Sequence, residues 1–340
     1  MAKFIFDKKN ILIMGGAGFI GSHLADQLAA GNKVICVDNL SSGSERNIDH
    51  LLANPNFKFI KHDLALPLVL EDYTELADFR LEFQGVQEIY NLACPTSPKY
   101  FDRNRIATLL ANSYVVKNGL DLALKYQAKF MHLSSSVVYG ERRVSHHHMV
   151  ETEIGLVDQL SPRSSYDEGK RFAETMVANY RDVYKLDVRI ARLFRIYGPR
   201  MLLNDGQMIP DFINNALDNK DLVIYGDQDF ATGLCYVTDC VSGLLKLMDS
   251  QLTAPINFGS DIDWRLADVA QKVIDKTNSQ SKIIFEQPLL FMTPLPVPDI
   301  SRAREELSWM PLVTLDDGLD KTIRDLRASK GLKGLEGVAY

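Results

Sequence analysis

The sequence predicts an α/β fold, a doubly wound parallel sheet followed by a smaller C-terminal lobe. Three features carry that expectation. Short apolar runs alternate with amphipathic stretches through the first half of the chain. A glycine-rich turn joins the first apolar run to the first helical pattern. After Tyr197-Gly198-Pro199 the segments shorten, and prolines gather between Pro288 and Pro298.

The runs at 11–14, 34–37, 57–60, 88–92, 130–133 and 188–193 read as strands. Between them lie helical spacings such as Ile20, Leu24 and Leu28 on one face. Strands alternating with helices build a parallel sheet with crossover helices on its faces. The shorter, proline-rich segments that follow read as a lobe over the sheet's carboxyl edge, where such folds bind ligands. With 340 residues the chain is long enough for a large core and two lobes. Hydrophobic residues at 46% and charged residues at 24% are ordinary for a globular enzyme. A net charge of −6 offers no basic surplus for phosphate neutralisation, which argues against nucleic acid as a partner. No apolar run reaches membrane-span length, and the opening MAKFIFDKKN has no signal-like apolar region, so a cytoplasmic protein away from membranes is expected. Cys36, Cys94, Cys235 and Cys240 are scattered and form no CxxC pair, so neither a metal site nor a disulfide framework is indicated.

GGAGFIG places Gly15, Gly18 and Gly21 between the first strand and the first helix. Glycine permits the tight turn, lets the backbone approach a pyrophosphate and lets helix and strand pack closely. The helix N-terminus adds amide groups and partial positive charge for the phosphates. The second strand ends in Asp38, within VICVDN. A carboxylate there bonds ribose hydroxyls and repels a 2′-phosphate, so NAD is the expected cofactor rather than NADP. Asp63, ending the third strand, is placed to meet the adenine. The expected division is a Rossmann-type NAD-binding domain at 1–195 plus about 236–258, a substrate-binding lobe at 196–235 and 259–330, and a frayed polar tail at 331–340.

Tyr166 and Lys170 stand four apart at the start of a predicted helix and share a face. An ammonium group and a positive nicotinamide near the phenol would favour its ionised form and lower its pKa. Tyr166 is therefore the candidate acid/base for a sugar hydroxyl that loses hydride from the same carbon. Ser134, Ser135 and Ser136, in HLSSSVVYG, supply candidate hydroxyls to orient that alcohol. His146, His147 and His148 do not project to one point in a regular element, and they read as a solvated loop rather than a metal site.

Taken together, GGAGFIGSHL, VDN, SSSVVYG, YDEGK and the later YGPR resemble the extended short-chain dehydrogenases that modify nucleotide sugars, over roughly 10–326. SPRSSYDEGKRFAETM and YGPRMLLNDGQMIPDFI are most similar to the UDP-glucuronate decarboxylases, which make UDP-xylose. The resemblance implies Ser135 as the hydroxyl partner, Tyr166 as the base and Lys170 as the orienting lysine. It implies that Gly15, Phe19, Ile20, Asp38, Asn39, Gly43, Asp63, Leu64, Leu92 and Ala93 line the cofactor, and that Ser136, Arg195 and Thr232 face the substrate. It also implies a homodimer built on a four-helix bundle of 106–126 and 166–184. Leu109, Val116, Leu120, Leu124, Phe172, Met176 and Tyr180 are the candidates for its apolar stripes.

The substrate side departs from that family's pattern. Val137 stands where the decarboxylases and dehydratases carry a glutamate, and valine cannot move protons. Thr232 replaces an arginine expected on the substrate diphosphate, and Pro294, Leu295, Pro296 and Val297 contain no second one. Arg195 occupies the position of an expected asparagine. An arginine there seeks an anion, either on the substrate or on a neighbour such as Asp205. The expected function is a UDP-glucuronate decarboxylase-like enzyme working through transient oxidation at sugar C4. The alternative is a 4-epimerase or 4-dehydrogenase/reductase on a related anionic sugar that need not carry UDP. A non-catalytic NAD(H) sensor would have no need of the Ser135–Tyr166–Lys170 set.

Overall fold

The computed structural model describes residues 8–100, 102–141, 148–203, 205–226, 228–287 and 296–336. Seven strands form one parallel sheet: β1 (Asn10–Met14), β2 (Lys33–Asp38), β3 (Phe57–Lys61), β4 (Glu88–Asn91), β5 (Lys129–Ser135), β6 (Val188–Leu193) and β7 (Ile256–Phe258). Their order is β7-β6-β5-β4-β1-β2-β3. β1 (NILIM) and β2 (KVICVD) run as wholly or almost wholly buried strands, as expected when helices cover both faces. The chain winds one way from β1 and then the other, so the order reverses between β1 and β4. There the loops at the carboxyl ends part and leave a crevice.

Two apolar layers sandwich the sheet. Ile11, Ile13, Val34 and Cys36 face one way, with Leu24 and Leu28 of the helix Phe19–Ala29 and Leu244 and Leu247 of the helix Val237–Asp249. Leu12, Met14, Ile35 and Val37 face the other way, with Val116 and Leu120 and with Ala173 and Val177. The alternation follows directly from the period-two geometry of a strand. The first layer runs on into the C-terminal part of the chain through Phe258, Trp309, Leu319 and Ile323.

The six strands expected from the sequence are present, and the short β7 beside β6 is a seventh. Outside the large sheet the described residues form two-stranded pairs, among them Leu222–Tyr225 with Ile283–Glu286 and Ala231–Gly233 with Asp263–Arg265. The tail differs from expectation. A helix runs over Leu315–Glu336 into residues read as frayed. Leu319, Ile323 and Leu326 anchor it, Lys330 binds the Asn214 carbonyl, and Gly331 costs a helix only about 1 kcal/mol, which does not stop it.

One helix is interrupted. Arg105–Leu110 and Val116–Tyr126 are joined by a π-turn over Ala111–Val115. It packs beside Ser164–Tyr184, the helix that carries Tyr166 and Lys170.

That second helix is tied to the sheet by charge. Arg192 on β6 grips both oxygens of Glu174, at 2.9 and 2.7 Å. Its remaining amino group donates to the Tyr139 hydroxyl at 2.8 Å and to the Glu151 carbonyl at 3.0 Å. Tyr139 in turn donates to Asn257 on β7 at 2.8 Å. Both members of the Arg192–Glu174 pair are only 12% exposed. Removing one partner strands the other, so Glu174→Ala should lower unfolding stability by about 3 kcal/mol. The double variant Arg192→Met/Glu174→Leu should lose clearly less. Urea midpoints of the two proteins check this order.

Candidate active site

The turn after β1 is shaped by backbone contact. Gly15 has a φ of +81°, and a Cβ there would lie 2.8 Å from the Ala93 backbone at the end of β4. A Cβ on Gly21 would meet the Gly15 carbonyl at 2.3 Å. Larger residues would push the turn out of the crevice. Gly18 caps the helix Phe19–Ala29 without a side-chain bond, and the first turn holds no acid. The amide groups that begin this helix therefore have no protein acceptor and stand ready for an anion.

These residues open onto a cavity of about 430 Å³ at the carboxyl edge of the sheet. Gly15, Gly18, Phe19, Ile20, Gly21, Asp38, Asn39, Asp63, Leu64, Leu92 and Ala93 all line it. Gly43 stands just behind, since a Cβ on it would come within 3.0 Å of the Asp38 carboxylate. Asp38 is held by the backbone amides of Leu40 at 2.8 Å and Ala17 at 3.1 Å. Burial raises its pKa, and those two amides oppose the rise. Its fixed carboxylate at the end of β2 has lone pairs left for ribose hydroxyls. The uncapped helix start, the glycine cradle and this carboxylate together fit a dinucleotide.

Beside the crevice, β5 carries Ser135, whose side chain hydrogen-bonds the Tyr166 phenol. Leu133 and Ser134 of the same strand line the cavity, whereas Ser135, Tyr166 and Lys170 stand behind that lining. Ser135 Oγ also accepts from the Val137 amide at 3.4 Å, which fixes the turn after the strand. Lys170 Nζ donates to the Leu133 carbonyl at 2.8 Å and lies 5.9 Å from the centre of the Tyr166 ring. The three residues expected to act together are thus brought together.

The electrostatics differ from the sequence expectation. Burial pushes the Tyr166 phenol above its ordinary value. Cys94 adds to the rise, and the Ser135 hydrogen bond and the Arg163 charge oppose it. The ammonium of Lys170 is itself depressed by burial. The expected lowering is absent in the protein alone because desolvation of a fully enclosed phenol outweighs its favourable neighbours. Any lowering must come with the charge of the bound cofactor.

The substrate-side residues are scattered. Ser136, Val137 and Thr232 are buried and do not line the cavity. Thr232 pairs with Trp264 in a two-stranded ribbon. Arg195 sits two residues beyond the cavity-lining Leu193, and it forms no ion pair with Asp205 among the described residues. Asp205 does line the cavity, and burial holds its carboxyl up at about 6. His146, His147, Pro294 and Leu295 lie outside the described residues. His148 is exposed on a short edge strand, and no cluster suited to a metal is present among the described residues.

Sequence reasoning missed the ACPTSP segment beyond Leu92, where Cys94, Thr96 and Ser97 line the cavity. Its signal was position alone, at the carboxyl end of the strand flanking the crevice. It also missed Asn112, which donates to the Cys94 sulfur at 3.3 Å from within the π-turn.

A dinucleotide cradle opening on an α/β crevice, with a Ser–Tyr–Lys set beside Leu133 and Ser134 of its wall, defines an NAD-dependent sugar-modifying class of enzyme. The profile of the NAD dependent epimerase/dehydratase family matches residues 11–259, and the chain belongs to that family. It is 38% identical over 318 residues to UDP-glucuronic acid decarboxylase 4 of Arabidopsis thaliana, covering 93% of this chain and 68% of that protein. It is 36% identical over 333 residues to UDP-glucuronic acid decarboxylase 5 of the same plant, covering 97% and 93%. Among solved structures it is similar to the UDP-glucose 4-epimerase of Thermotoga maritima with UDP-glucose, with 26% identity and a TM-score of 0.82 over 94% of this chain and 99% of that one. It is also similar to the UDP-glucuronic acid 4-epimerase of Bacillus cereus in complex with UDP-glucuronic acid and NAD, with 25% identity, a TM-score of 0.80 and the same coverage. NAD is the cofactor of this chain.

Losing the Asp38 carboxylate removes both its bonds to ribose and its repulsion of a 2′-phosphate. Asp38→Ala should weaken NAD binding by about tenfold or more, the loss expected for charge-assisted hydrogen bonds, and narrow the gap to NADP. Titration of wild type and variant with both dinucleotides checks this.

Proposed function

We propose that this protein is an NAD-dependent UDP-glucuronate decarboxylase-like enzyme that oxidises its sugar transiently at C4. The observation that carries the reading is the phenol of Tyr166, hydrogen-bonded to Ser135 and backed by Lys170, next to Leu133 and Ser134 in the wall of a crevice that fits NAD. The likeness to UDP-glucuronic acid decarboxylases over more than nine-tenths of the chain supports the choice of substrate.

Bound NAD supplies the acceptor, and later the donor, of the hydride on C4. Ser135 holds the 4-hydroxyl, and Tyr166 takes its proton as the carbon becomes a ketone. The product of that step carries a carboxylate β to the ketone. Loss of carbon dioxide breaks the C5–C6 bond and leaves its electron pair in an enolate, which a proton from water quenches at C5. Reduction of the ketone then returns the proton from Tyr166 to the C4 oxygen. Carbon dioxide loss from such a keto acid needs no acid/base at position 137, so the buried Val137 is compatible with this sequence.

The crevice would equally allow a 4-epimerase, which shares the oxidation and omits the carbon loss. The 4-epimerases among the structural neighbours support that second reading. Purified enzyme incubated with UDP-glucuronate and NAD should release carbon dioxide and UDP-xylose, read by NMR of the nucleotide sugars. Tyr166→Phe should retain NAD and lose about 10²–10⁴-fold in turnover. A 4-epimer formed without carbon loss would favour the epimerase. Near-normal turnover of the Phe variant would place the base elsewhere.

We read the assembly as a homodimer through the paired helices. The stripe differs from the one the sequence suggested. Val116 and Leu120 are fully buried in the chain's own core, and Leu124, Met176 and Tyr180 pack against it. The exposed apolar residues of these helices include Ile106 at 69%, Leu109, Tyr114 and Phe172 at 51%. Such a patch on both halves of a helix pair suits a two-fold four-helix contact. Light scattering at micromolar concentration should give twice the mass of the chain, and Leu109→Asp/Phe172→Asp should give the monomer. Four free thiols with no disulfide are consistent with a reducing compartment such as the cytoplasm. No helix among the described residues is long and apolar enough to cross a membrane.

A further inference from the structure

Arg195 stands out in the site as a cation with nothing to hold. It follows β6 by two residues, and its backbone takes the left-handed region with a φ of +34°. A long side chain rarely adopts that conformation, and such strain persists only where the surroundings enforce it. The surroundings here are hydrogen bonds on both sides. The Phe194 amide donates to the Phe258 carbonyl at 2.9 Å, and the Cys235 amide donates to the Arg195 carbonyl at 3.1 Å.

The side chain is enclosed without a partner. Its Nε is sealed from water and has no acceptor. Among the described residues no carboxylate pairs with it, and Asp205 instead accepts from the Gln207 amide at 3.0 Å. The residue as a whole is half-buried. The charge that acts on it is another cation, Arg163, which repels it. Burial and that repulsion lower its pKa to about 10, so it stays charged at neutral pH. A buried Nε–H without an acceptor is costly to keep, and a ligand anion on this guanidinium would relieve it.

The neighbours narrow down which anion. Arg163 is already neutralised by Asp167 at 2.9 Å. Of the two guanidiniums only Arg195 is left without a carboxylate, which suits a single carboxylate better than a doubly charged diphosphate. Position points the same way. The Tyr166 amide donates to the Arg163 carbonyl at 3.0 Å, so Arg163 begins the very turn that carries the phenol. A group held between Arg195 and Arg163 lies beside the reacting carbon. In a hexuronate the carboxylate is attached at C5, next to C4, whereas the diphosphate sits across the ring on C1.

We infer that Arg195, with Arg163 beside it, holds the carboxylate of a hexuronate substrate next to the carbon that reacts. This rests on reading the crevice as a C4-oxidising site for a nucleotide sugar. It makes Arg195 a specificity-determining residue that distinguishes a uronate from its uncharged hexose.

The test is direct binding of UDP-glucuronate and UDP-glucose to the NAD-loaded wild type, Arg195→Asn and Arg195→Lys, by calorimetry, with melting temperature as the control for folding. The wild type should prefer UDP-glucuronate. Arg195→Asn should lose about 10- to 100-fold in affinity for UDP-glucuronate, as expected when a charge-assisted hydrogen bond is removed, with UDP-glucose unchanged. Arg195→Lys should fall between them. Equal losses for both nucleotide sugars would place Arg195 on the diphosphate and overturn the inference, as would no loss for either. In both cases wild-type turnover of UDP-glucuronate would leave the proposed function standing. A wild type that binds neither nucleotide sugar would overturn the proposed function and this inference together.

Discussion

The ammonium of Lys170 is fully enclosed, and the Leu133 carbonyl receives its proton at 2.8 Å. A buried cation tolerates little displacement from such an acceptor, because moving it away restores the desolvation cost with no compensation. Leu133 belongs to β5, and Ser135 lies two residues further along the same strand. The bond therefore fixes one turn of a long helix against one strand end, and the phenol–hydroxyl contact follows from it. Nearby groups adapt to the same charge. His132, on β5, is driven to its neutral form by burial and by Lys170. Gly169, one residue before the lysine, leaves room for Asn112, whose amide a Cβ would approach to 2.9 Å. The Arg192–Glu174 clamp, one turn further on, holds the rest of the helix to β6.

Much of this was legible in the sequence because it depends on local pattern. Buried parallel strands need near-continuous apolar runs, and the glycine turn needs its spacing, so β1 to β6 and the dinucleotide cradle were readable. Asp38 and Asp63 follow from strand ends. What was not legible depends on contacts between distant segments. The short strand β7 has three residues and gains its place only by pairing with β6. Thr232 was read as a substrate contact from alignment alone, yet its ribbon with Trp264 turns it into the interior. The Tyr166 phenol was expected to be acidified by its neighbours, but the degree of enclosure, which no local pattern reports, decides the sign. The continuation of the last helix to Glu336 likewise depends on distant anchors such as Asn214.

The charges of the crevice are arranged for a negatively charged visitor. The helix start after Gly18 has open amides and no acid in its first turn. Arg195 has no acceptor, and Lys170 and Arg163 lie within reach of the phenol. Against them stands Asp205, whose carboxyl is pushed up to about 6 and so carries its charge only partly near that pH. The protein has therefore kept the cost of desolvating several positive groups in its unliganded fold. The gain returns when phosphates and acidic sugars enter. Regions that hold such unmet charge are commonly the functional ones, and here they coincide with the glycine cradle and the carboxyl ends of β5 and β6.

The π-turn at Ala111–Val115 has an effect on the helix that contains it. Each wider turn delays the rotation of the side chains that follow, so the helix before and after the turn no longer share one stripe. Before it, Ile106 and Leu109 look outward; after it, Val116 and Leu120 look into the core. A single continuous α-helix could not present both faces in that register. Deleting one residue from this turn would restore the regular winding and swing the outer apolar group toward the protein's own interior, or the inner group toward water. One additional residue in a single turn thus acts as a gear between two surfaces, letting the same helix serve the core at one end and the exterior at the other.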